Sequence, residues 1–252
     1  MVDYKMNTEK MMAQWWQSPL GHNVLMQEKT LLQSLSKHFH GRYQLQIGIE
    51  QSLLPAPTKP AIQKIMSPSA DVNGNSIELP FKCHSIDMLL LGHVLEFSAD
   101  PHQVLREVER VLVADGTIVL LSFNPWSLWG LRRLFSWQDA PPWQGAFFSQ
   151  TRIKDWLALL NFEVVTTERL LFRPPVQSNK WFNKLNFMER WGKRLWPLFS
   201  GITLLVATKR TIPLTPITKP WRAKQLFPRP LVQNPINREN IRPLHNSGAK
   251  VK

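Results

Sequence analysis

The chain contains very little cysteine and no long apolar run. Cys83 is the only cysteine, which excludes an internal disulfide and a zinc site built from several cysteines, and fits a reducing compartment. The longest apolar runs have the length of buried strands and fall well short of the ~18 residues of a membrane-spanning helix. The N-terminus has no apolar signal core, so we expect a cytoplasmic protein without a transmembrane segment.

Acidic residues are also scarce, since 18 Asp and Glu face 31 Lys and Arg, for a net charge of +13. Residues 211–252 hold eight Lys or Arg, seven Pro and a single acid, Glu239. This basic, Pro-containing segment has little apolar periodicity and is predicted to be a disordered tail. Such a tail could contact nucleic acid or an anionic membrane surface, or it could be solvated with no dedicated partner.

Strand-like and helix-like segments alternate along the rest of the chain. A helix is expected over Ser18–Phe39, because Ser18 with Pro19 suits a helix start and apolar residues then recur at helical spacing. The alternation predicts an α/β domain with a doubly wound, mostly parallel sheet and helices on both faces. The expected strands are Tyr43–Ile49, Ile62–Met66, Ile86–Leu91, Thr117–Ser122, Phe162–Phe172 and Gly201–Thr208, and further helices are expected after Asp100, over Ser149–Leu160 and partly within Asn179–Phe199.

The block Glu78–Pro125 carries most of the functional information. It is predicted to form a strand, a loop, a helix, a turn at Asp115 and Gly116, and a second strand. Polar residues, among them His93 and Asn124, gather at one end of both strands. Ligands of doubly wound domains bind at the carboxyl ends of the strands, so this edge is the predicted site.

Short motifs within residues 45–124 resemble those of one known family. Glu78-Leu79-Pro80-Phe81, Ser85-Ile86-Asp87, His93-Val94-Leu95-Glu96 and the run LREVERVLVADGTIVLLSF occur here in order. They are similar to motifs of class I S-adenosylmethionine-dependent methyltransferases of the type 11 group. The resemblance implies a seven-stranded Rossmann-like sheet within residues 1–210. It also implies S-adenosylmethionine as the cofactor and methyl transfer to an undetermined acceptor.

The first loop of that family reads D/E-x-G-x-G-x-G, and the aligned residues here are Gln46–Ser52. Gly48 is the first glycine, whereas Glu50 and Ser52 stand where the other glycines allow close backbone approach to the ligand. The acid that the family places at the end of the second strand, to hold the ribose, is absent. The resemblance implies that Gly48 and Glu50 bind the cofactor from this loop, Asn75, Ser76 and Leu79 beside the adenine, and His93 at the methionine end.

Tryptophan and arginine are concentrated in residues 125–148, which we interpret as an insertion forming a lid. The resemblance suggests a substrate-facing group at Asn124, and Trp126 and Trp129 are the expected substrate-binding residues of the insertion. The insertion could cover an apolar or aromatic acceptor, stack the bases of an RNA or rest on a membrane surface. It could equally be a packed part of the domain.

Three functions stay open from the sequence: a methyltransferase, a catalytically inactive methyltransferase-like binding or scaffold protein, and an RNA-binding protein that uses the basic tail. No metal site is expected, and no catalytic residue is assigned, because methyl transfer depends first on positioning the two reactants. Asp87 opens a strand at its amino end and is expected to be structural. Glu96 could contact substrate or help set up the helix that follows it, and we expect the second role.

Overall fold

Six strands of one sheet organise the chain, which a computed structural model describes over residues 11–67, 70–135, 141–175 and 187–210. The strand order is β2-β1-β3-β4-β6-β5. The first four strands are parallel to one another, and β6 is antiparallel to both β4 and β5. The strands are β1 (Tyr43–Ile47), β2 (Ile62–Met66), β3 (Ile86–Gly92), β4 (Leu112–Phe123), β5 (Phe162–Leu170) and β6 (Ile202–Lys209).

The helices begin at the capping residues that the sequence predicts. Ser18, Asp100 and Ser149 each accept a hydrogen bond from a backbone N–H of the first turn, at 3.1, 3.0 and 3.3 Å. Residues 11–17 are also helical. The α-helices with both ends described are α1 (Pro19–Ser34), α2 (Pro101–Val111), α3 (Leu128–Phe135), α4 (Gln150–Leu159) and α5 (Phe187–Leu195), with 3-10 turns at Ser36–His38, Leu95–Phe97 and Pro197–Phe199.

Two hydrophobic clusters cover the two faces of the sheet. Along β3, Met88 and Leu90 point into one cluster, and Leu89 and Leu91 point into the other. Helix α1 packs in the first cluster, while α2 and α4 pack in the second. A strand that is apolar on both faces belongs in the interior of such a sandwich. The predicted doubly wound, mostly parallel α/β fold is therefore confirmed.

The predicted sheet has one strand too many, and the predicted turn is found at a register shift between β3 and β4. Seven strands were expected, but the described residues form six. Val72, which precedes the Leu79-Pro80-Phe81 motif, makes only an isolated bridge to Met66. Residues 71–76 are mostly Asp, Asn, Gly and Ser, which disfavour strands. The expected turn at Asp115 and Gly116 lies within β4, where Asp115 has a positive φ of 57°.

The basic tail, residues 211–252, lies outside the described residues, so its predicted disorder and its nucleic-acid or membrane contacts stay predictions. The lid interpretation of residues 125–148 also stays a prediction, and residues 136–140 of that insertion are likewise not described. Within the described part of the chain, no helix combines the length and apolar character needed to cross a membrane.

Candidate functional site

A glycine or a polar residue follows each of the four parallel strands, and these strands all end at one edge of the sheet. Gly48 comes directly after β1, Ser67 after β2, His93 after β3 and Asn124 after β4. The start of β6 lies at the same edge, because its first residue, Ile202, pairs with the last residue of β4. We call this the carboxyl edge, and it is where doubly wound sheets bind ligands.

The loop after β1 is organised by the side chain of Gln46, which is fully buried. Its amide nitrogen donates to the carbonyl oxygens of Ile49 and Gln51, at 2.7 and 2.8 Å. Its amide oxygen accepts from the backbone N–H of Leu53, at 2.9 Å. The loop that the resemblance assigns to cofactor binding is thus filled by a side chain of the protein itself.

Restoring the family's acid at this position, Gln46→Glu, should destabilise the protein. A carboxylate cannot donate to the two carbonyl oxygens, and the loss of two buried hydrogen bonds costs roughly 2 kcal/mol of unfolding free energy. Chemical denaturation would measure this loss. Gln51→Glu, at an exposed residue of the same loop, should leave stability unchanged. Equal stability of the two variants would contradict this account of the loop.

The connection from β1 to β2 contains no helix in residues 48–61, all of which are described. Parallel strands are usually joined through a helix, whose N-terminus is a ready anion site in dinucleotide-binding folds. Here Ile49 and Leu53, each 1% exposed, fill the space at the end of β1 instead. The Ile49 side chain packs directly against the Cα of Gly92, at the end of β3.

Glu50 brings a carboxylate to the end of β2. It is half-buried, and one of its oxygens accepts a hydrogen bond from the hydroxyl of Ser67 at 3.2 Å. Ser67 directly follows the last residue of β2, so the Glu50 carboxylate lies at the strand end that has no acid of its own. A carboxylate offers about four acceptor positions, so its two oxygens can accept more than the Ser67 hydroxyl.

The three residues predicted beside the adenine lie in and after one turn. Asn75 is exposed and accepts from the backbone N–H of Ile77 at 3.3 Å, while Ser76 is half-buried. Leu79 is buried in the second hydrophobic cluster, and its backbone N–H donates to the Glu107 carboxylate at 2.8 Å. Their assignment to the cofactor stays a prediction.

His93, Glu28 and Glu96 form a buried cluster at the end of β3. The His93 ring nitrogens lie 2.8 Å from Glu28 Oε1, on α1, and 3.2 Å from Glu96 Oε1. Glu96 Oε1 also accepts the backbone N–H of Phe123 at 2.7 Å. Glu96 therefore binds His93 and β4, and the expectation that it sets up the next helix is wrong, since Asp100 caps that helix.

The cluster holds a proton on His93. Burial alone would lower the pKa of His93, but charge attraction and hydrogen bonds from Glu28 and Glu96 outweigh it and raise this pKa to about 9. Two carboxyl groups therefore face one imidazole. The second oxygens of Glu28 and Glu96 are buried and have no hydrogen-bond partner among the described residues. A buried oxygen without a partner calls for a hydrogen-bond donor, which a water molecule, a proton on the carboxyl group or a ligand can supply.

Aromatic rings surround His93. Its ring centroid lies 4.2 Å from that of Phe123 and 5.5 Å from that of Trp16. Phe123 stacks in turn on Trp129 and Phe147, at 5.7 and 5.1 Å. The histidine has a positive φ of 54°, which is uncommon outside glycine, and such backbone often occurs at functional sites.

The three residues predicted to bind substrate have different environments. Asn124 donates to the carbonyl oxygens of Leu198 and Ser200, at 2.7 and 3.0 Å, and so ties β4 to the segment before β6. Trp129 is fully buried, and its indole N–H donates to the Arg173 carbonyl at 2.9 Å. Trp126 is 70% exposed. The structure brings only Trp129 into the aromatic surroundings of His93, and substrate binding by all three stays a prediction.

Sequence reasoning missed Glu28 as a site residue. The signal was available, because Glu28 interrupts the apolar stripe of α1 that includes Val24, Leu25 and Leu32. A carboxylate on the buried face of a helix is rarely tolerated without a partner. The identity of that partner, His93, depends on a contact across 65 positions and has no local signature.

A cavity of about 700 Å³ opens at the opposite edge of the sheet, at the amino ends of β1, β2 and β3. Its lining includes Tyr43, Ile62 and Asp87. The Asp87 carboxylate accepts the backbone N–H groups of Arg42 and Tyr43, at 3.0 and 2.8 Å. This confirms its expected structural role and separates it from the carboxyl edge.

Comparison with known sequences supports the same family. The family model described as "Methyltransferase domain" matches residues 50–120. The uncharacterized Escherichia coli protein YafS is 40% identical over 148 residues, which are 57% of each chain, so this chain spans a little over half the length of that relative. A demethylmenaquinone methyltransferase of Listeria welshimeri is 32% identical over 82 residues, 32% of this chain and 35% of that protein.

Solved structures share the fold at low sequence identity. A SAM-dependent methyltransferase of Thermotoga maritima superimposes with a TM-score of 0.58 at 18% identity, covering 78% of this chain and 93% of that one. The [4+2]-cyclase SpnF gives a TM-score of 0.52 at 14% identity, over 73% and 81% of the two chains. The resemblance to class I S-adenosylmethionine-dependent methyltransferases is confirmed.

Proposed function

We propose that this chain uses its class I methyltransferase fold to bind S-adenosylmethionine at the carboxyl edge and to transfer its methyl group to an acceptor. When bound, the cofactor would supply a methyl group on a positively charged sulfonium, so that an acceptor nucleophile could bond to the methyl carbon while the carbon–sulfur bond breaks and S-adenosylhomocysteine leaves. The observation that carries the proposal is the buried cluster of Glu28, His93 and Glu96, which sets two carboxyl groups against one imidazole and leaves two oxygens without a hydrogen-bond partner among the described residues. A cytoplasmic location, expected from the sequence, is part of this proposal.

The charge of the cluster fits the cofactor. The methionine part of S-adenosylmethionine carries a sulfonium, an ammonium and a carboxylate group, so its net charge is positive, and its two cationic groups are attracted to the carboxyl groups of Glu28 and Glu96. In the interior, where the effective dielectric constant is low, this attraction is stronger than it would be in water. The residues Glu28 and Glu96 would hold the positive end of the cofactor, and the aromatic rings around His93 would keep water away from it.

Glu50 is the second proposed anchor. The Glu50 carboxylate, held by the Ser67 hydroxyl, supplies an acceptor at the end of β2, where the resemblance leads us to expect the ribose. Carboxylates bind vicinal hydroxyls of a ribose through charge-assisted hydrogen bonds, which are stronger than neutral ones. This contact would offset the missing acid at the end of β2.

Titration calorimetry with S-adenosylmethionine tests the proposal directly. Glu50→Gln should weaken binding about tenfold, the effect of replacing one charge-assisted hydrogen bond by a neutral one. Glu78→Gln is the matched control, because Glu78 is an exposed carboxylate in the turn next to the proposed adenine site. Failure of the unaltered protein to bind the cofactor would overturn the proposal. Equal affinities of the two variants would remove only Glu50 from it.

A second candidate function is a methyltransferase-like binding protein without turnover. The observation that favours it is the loop after β1, where the Gln46 side chain forms hydrogen bonds with the backbone groups of residues 49, 51 and 53. The fold by itself does not decide between these functions, because one fold supports several activities. Incubation of the protein and labelled S-adenosylmethionine with cell extract separates them. Cofactor binding without label transfer would favour the binding protein.

A further inference from the structure

Several large apolar side chains are exposed on α3, on α5 and in the segments beside these helices. Leu134, Phe135 and Trp126 are 77%, 72% and 70% exposed. Trp191, Trp196 and Leu198 are each more than half exposed. Monomeric proteins rarely leave so many large apolar groups in water unless they cover a binding surface. We call these six residues the exposed aromatic patch.

Hydrogen bonds bring the two parts of the exposed aromatic patch together. The Asn124 side chain accepts the backbone N–H of Trp126, at 3.1 Å, and donates to the carbonyl of Leu198. Helices α3 and α5 both contact residues 171–175, α3 through the Trp129 indole and α5 through the Glu189 carboxylate. Trp126 and Leu198 therefore lie beside the end of β4 and the start of β6, at the carboxyl edge.

Cationic residues outnumber acidic ones in the sequences of α3 and α5. Helix α3 contains Arg132 and Arg133 and no acid, and α5 contains three Lys or Arg and one acid. That acid, Glu189, is used within the protein, since its carboxylate lies 3.1 Å from the Arg173 guanidinium. Tryptophan, phenylalanine and leucine beside cationic groups are the composition of surfaces that lie in a bilayer interface.

We propose that the exposed aromatic patch docks this protein on the surface of an anionic phospholipid bilayer. The apolar side chains enter the interface, and Arg194, which is exposed on α5, contacts the lipid phosphates. Leu134 and Leu198 argue against a nucleic acid as the occupant, because bases stack on aromatic rings and not on aliphatic side chains. The inference goes beyond the proposed function and does not depend on cofactor binding.

Vesicle flotation with the full chain tests this inference. The protein should float with vesicles of phosphatidylglycerol and phosphatidylcholine, and much less with pure phosphatidylcholine. The double variant Leu134→Ser with Phe135→Ser should lower the partition coefficient roughly 100-fold, because two large apolar groups no longer enter the interface. The matched control is Leu159→Ser with Val165→Ser, which removes two apolar groups, 79% and 52% exposed, from outside the patch and should change nothing.

Charge reversal gives a second readout. Arg194→Glu, at an exposed residue of α5, should weaken binding to the anionic vesicles roughly tenfold, whereas Arg106→Glu, exposed on α2, should not. Absence of flotation, or an equal loss in the patch and control variants, would overturn the inference. Binding that disappears on deletion of residues 211–252 but is unchanged in the patch variant would assign it to the tail. If the unaltered protein sediments as a dimer and the patch variant as a monomer, the patch would instead be a contact with a second copy of the chain.

Discussion

His93→Leu should lower the free energy of unfolding by about 3 to 5 kcal/mol at neutral pH, the usual cost of removing one partner from a buried ion pair. Leucine has a similar size, so the effect does not come from a cavity. Without the imidazolium, Glu28 loses its partner at 2.8 Å, and two buried carboxyl groups face each other. Chemical denaturation followed by circular dichroism measures the loss.

The pH dependence of the free energy of unfolding shows whether the charge on His93 causes this loss of stability. The pKa of His93 is raised to about 9 in the folded protein, above the ~6.5 of an unfolded chain. Its contribution to stability is therefore complete below about pH 6.5 and is lost as the pH rises through 9. The unaltered protein should lose stability over this range, and His93→Leu should not show that part of the loss. Instead, the variant should gain stability on acidification, because its two buried carboxyl groups can then be protonated.

Two further variants control for a general effect. His22→Leu changes an exposed histidine of the same helix that carries Glu28, and it should leave stability within about 0.5 kcal/mol. The double variant His93→Leu with Glu28→Leu should recover much of the stability, because Glu96 keeps its hydrogen bond from Phe123 and no unpaired charge remains on α1. A His93→Leu protein as stable as the unaltered one would contradict the account.

Local signals in the sequence predicted most of the fold. Ser18, Asp100 and Ser149 cap their helices because a cap depends on residues within one turn. Continuous apolar runs indicated β3 and the later part of β4 because both faces of these strands are covered. The absence of a strand before Leu79 was not predicted. The order of the motifs carries no information on whether a segment of Asp, Asn and Gly extends the sheet.

The candidate site was predicted less well, because its contacts are not local. The resemblance indicated His93 at the end of β3, but its partner Glu28 is contributed by a helix that the family motifs do not include. The sequence shows Gln46 only as a glutamine at the position where the family has Asp or Glu. Its role, three hydrogen bonds that fill its own loop, depends on the path of the chain after Gly48.

Gly48→Ala should destabilise the protein by roughly 3 to 5 kcal/mol, even in the absence of any cofactor. The φ of Gly48 is +104°, a conformation that side chains with a Cβ rarely adopt. A Cβ at this position would lie 2.4 Å from the carbonyl oxygen of Gly92 and 2.6 Å from a methyl group of Val94. The backbone oxygen belongs to the buried end of β3 and cannot move without disturbing the sheet.

Ser52→Ala, at an exposed position of the same loop, is the control and should change stability by less than about 0.5 kcal/mol. If Gly48→Ala unfolds like Ser52→Ala, the close approach of the loop to β3 is not needed for the fold. If Gly48→Ala shows the large loss of stability without cofactor, the packing of this chain alone explains why position 48 needs a glycine. Gly48 then gives no support to cofactor binding. The methyltransferase proposal would therefore depend on Glu50 and on the acidic cluster around His93, whose contribution cofactor titration measures independently.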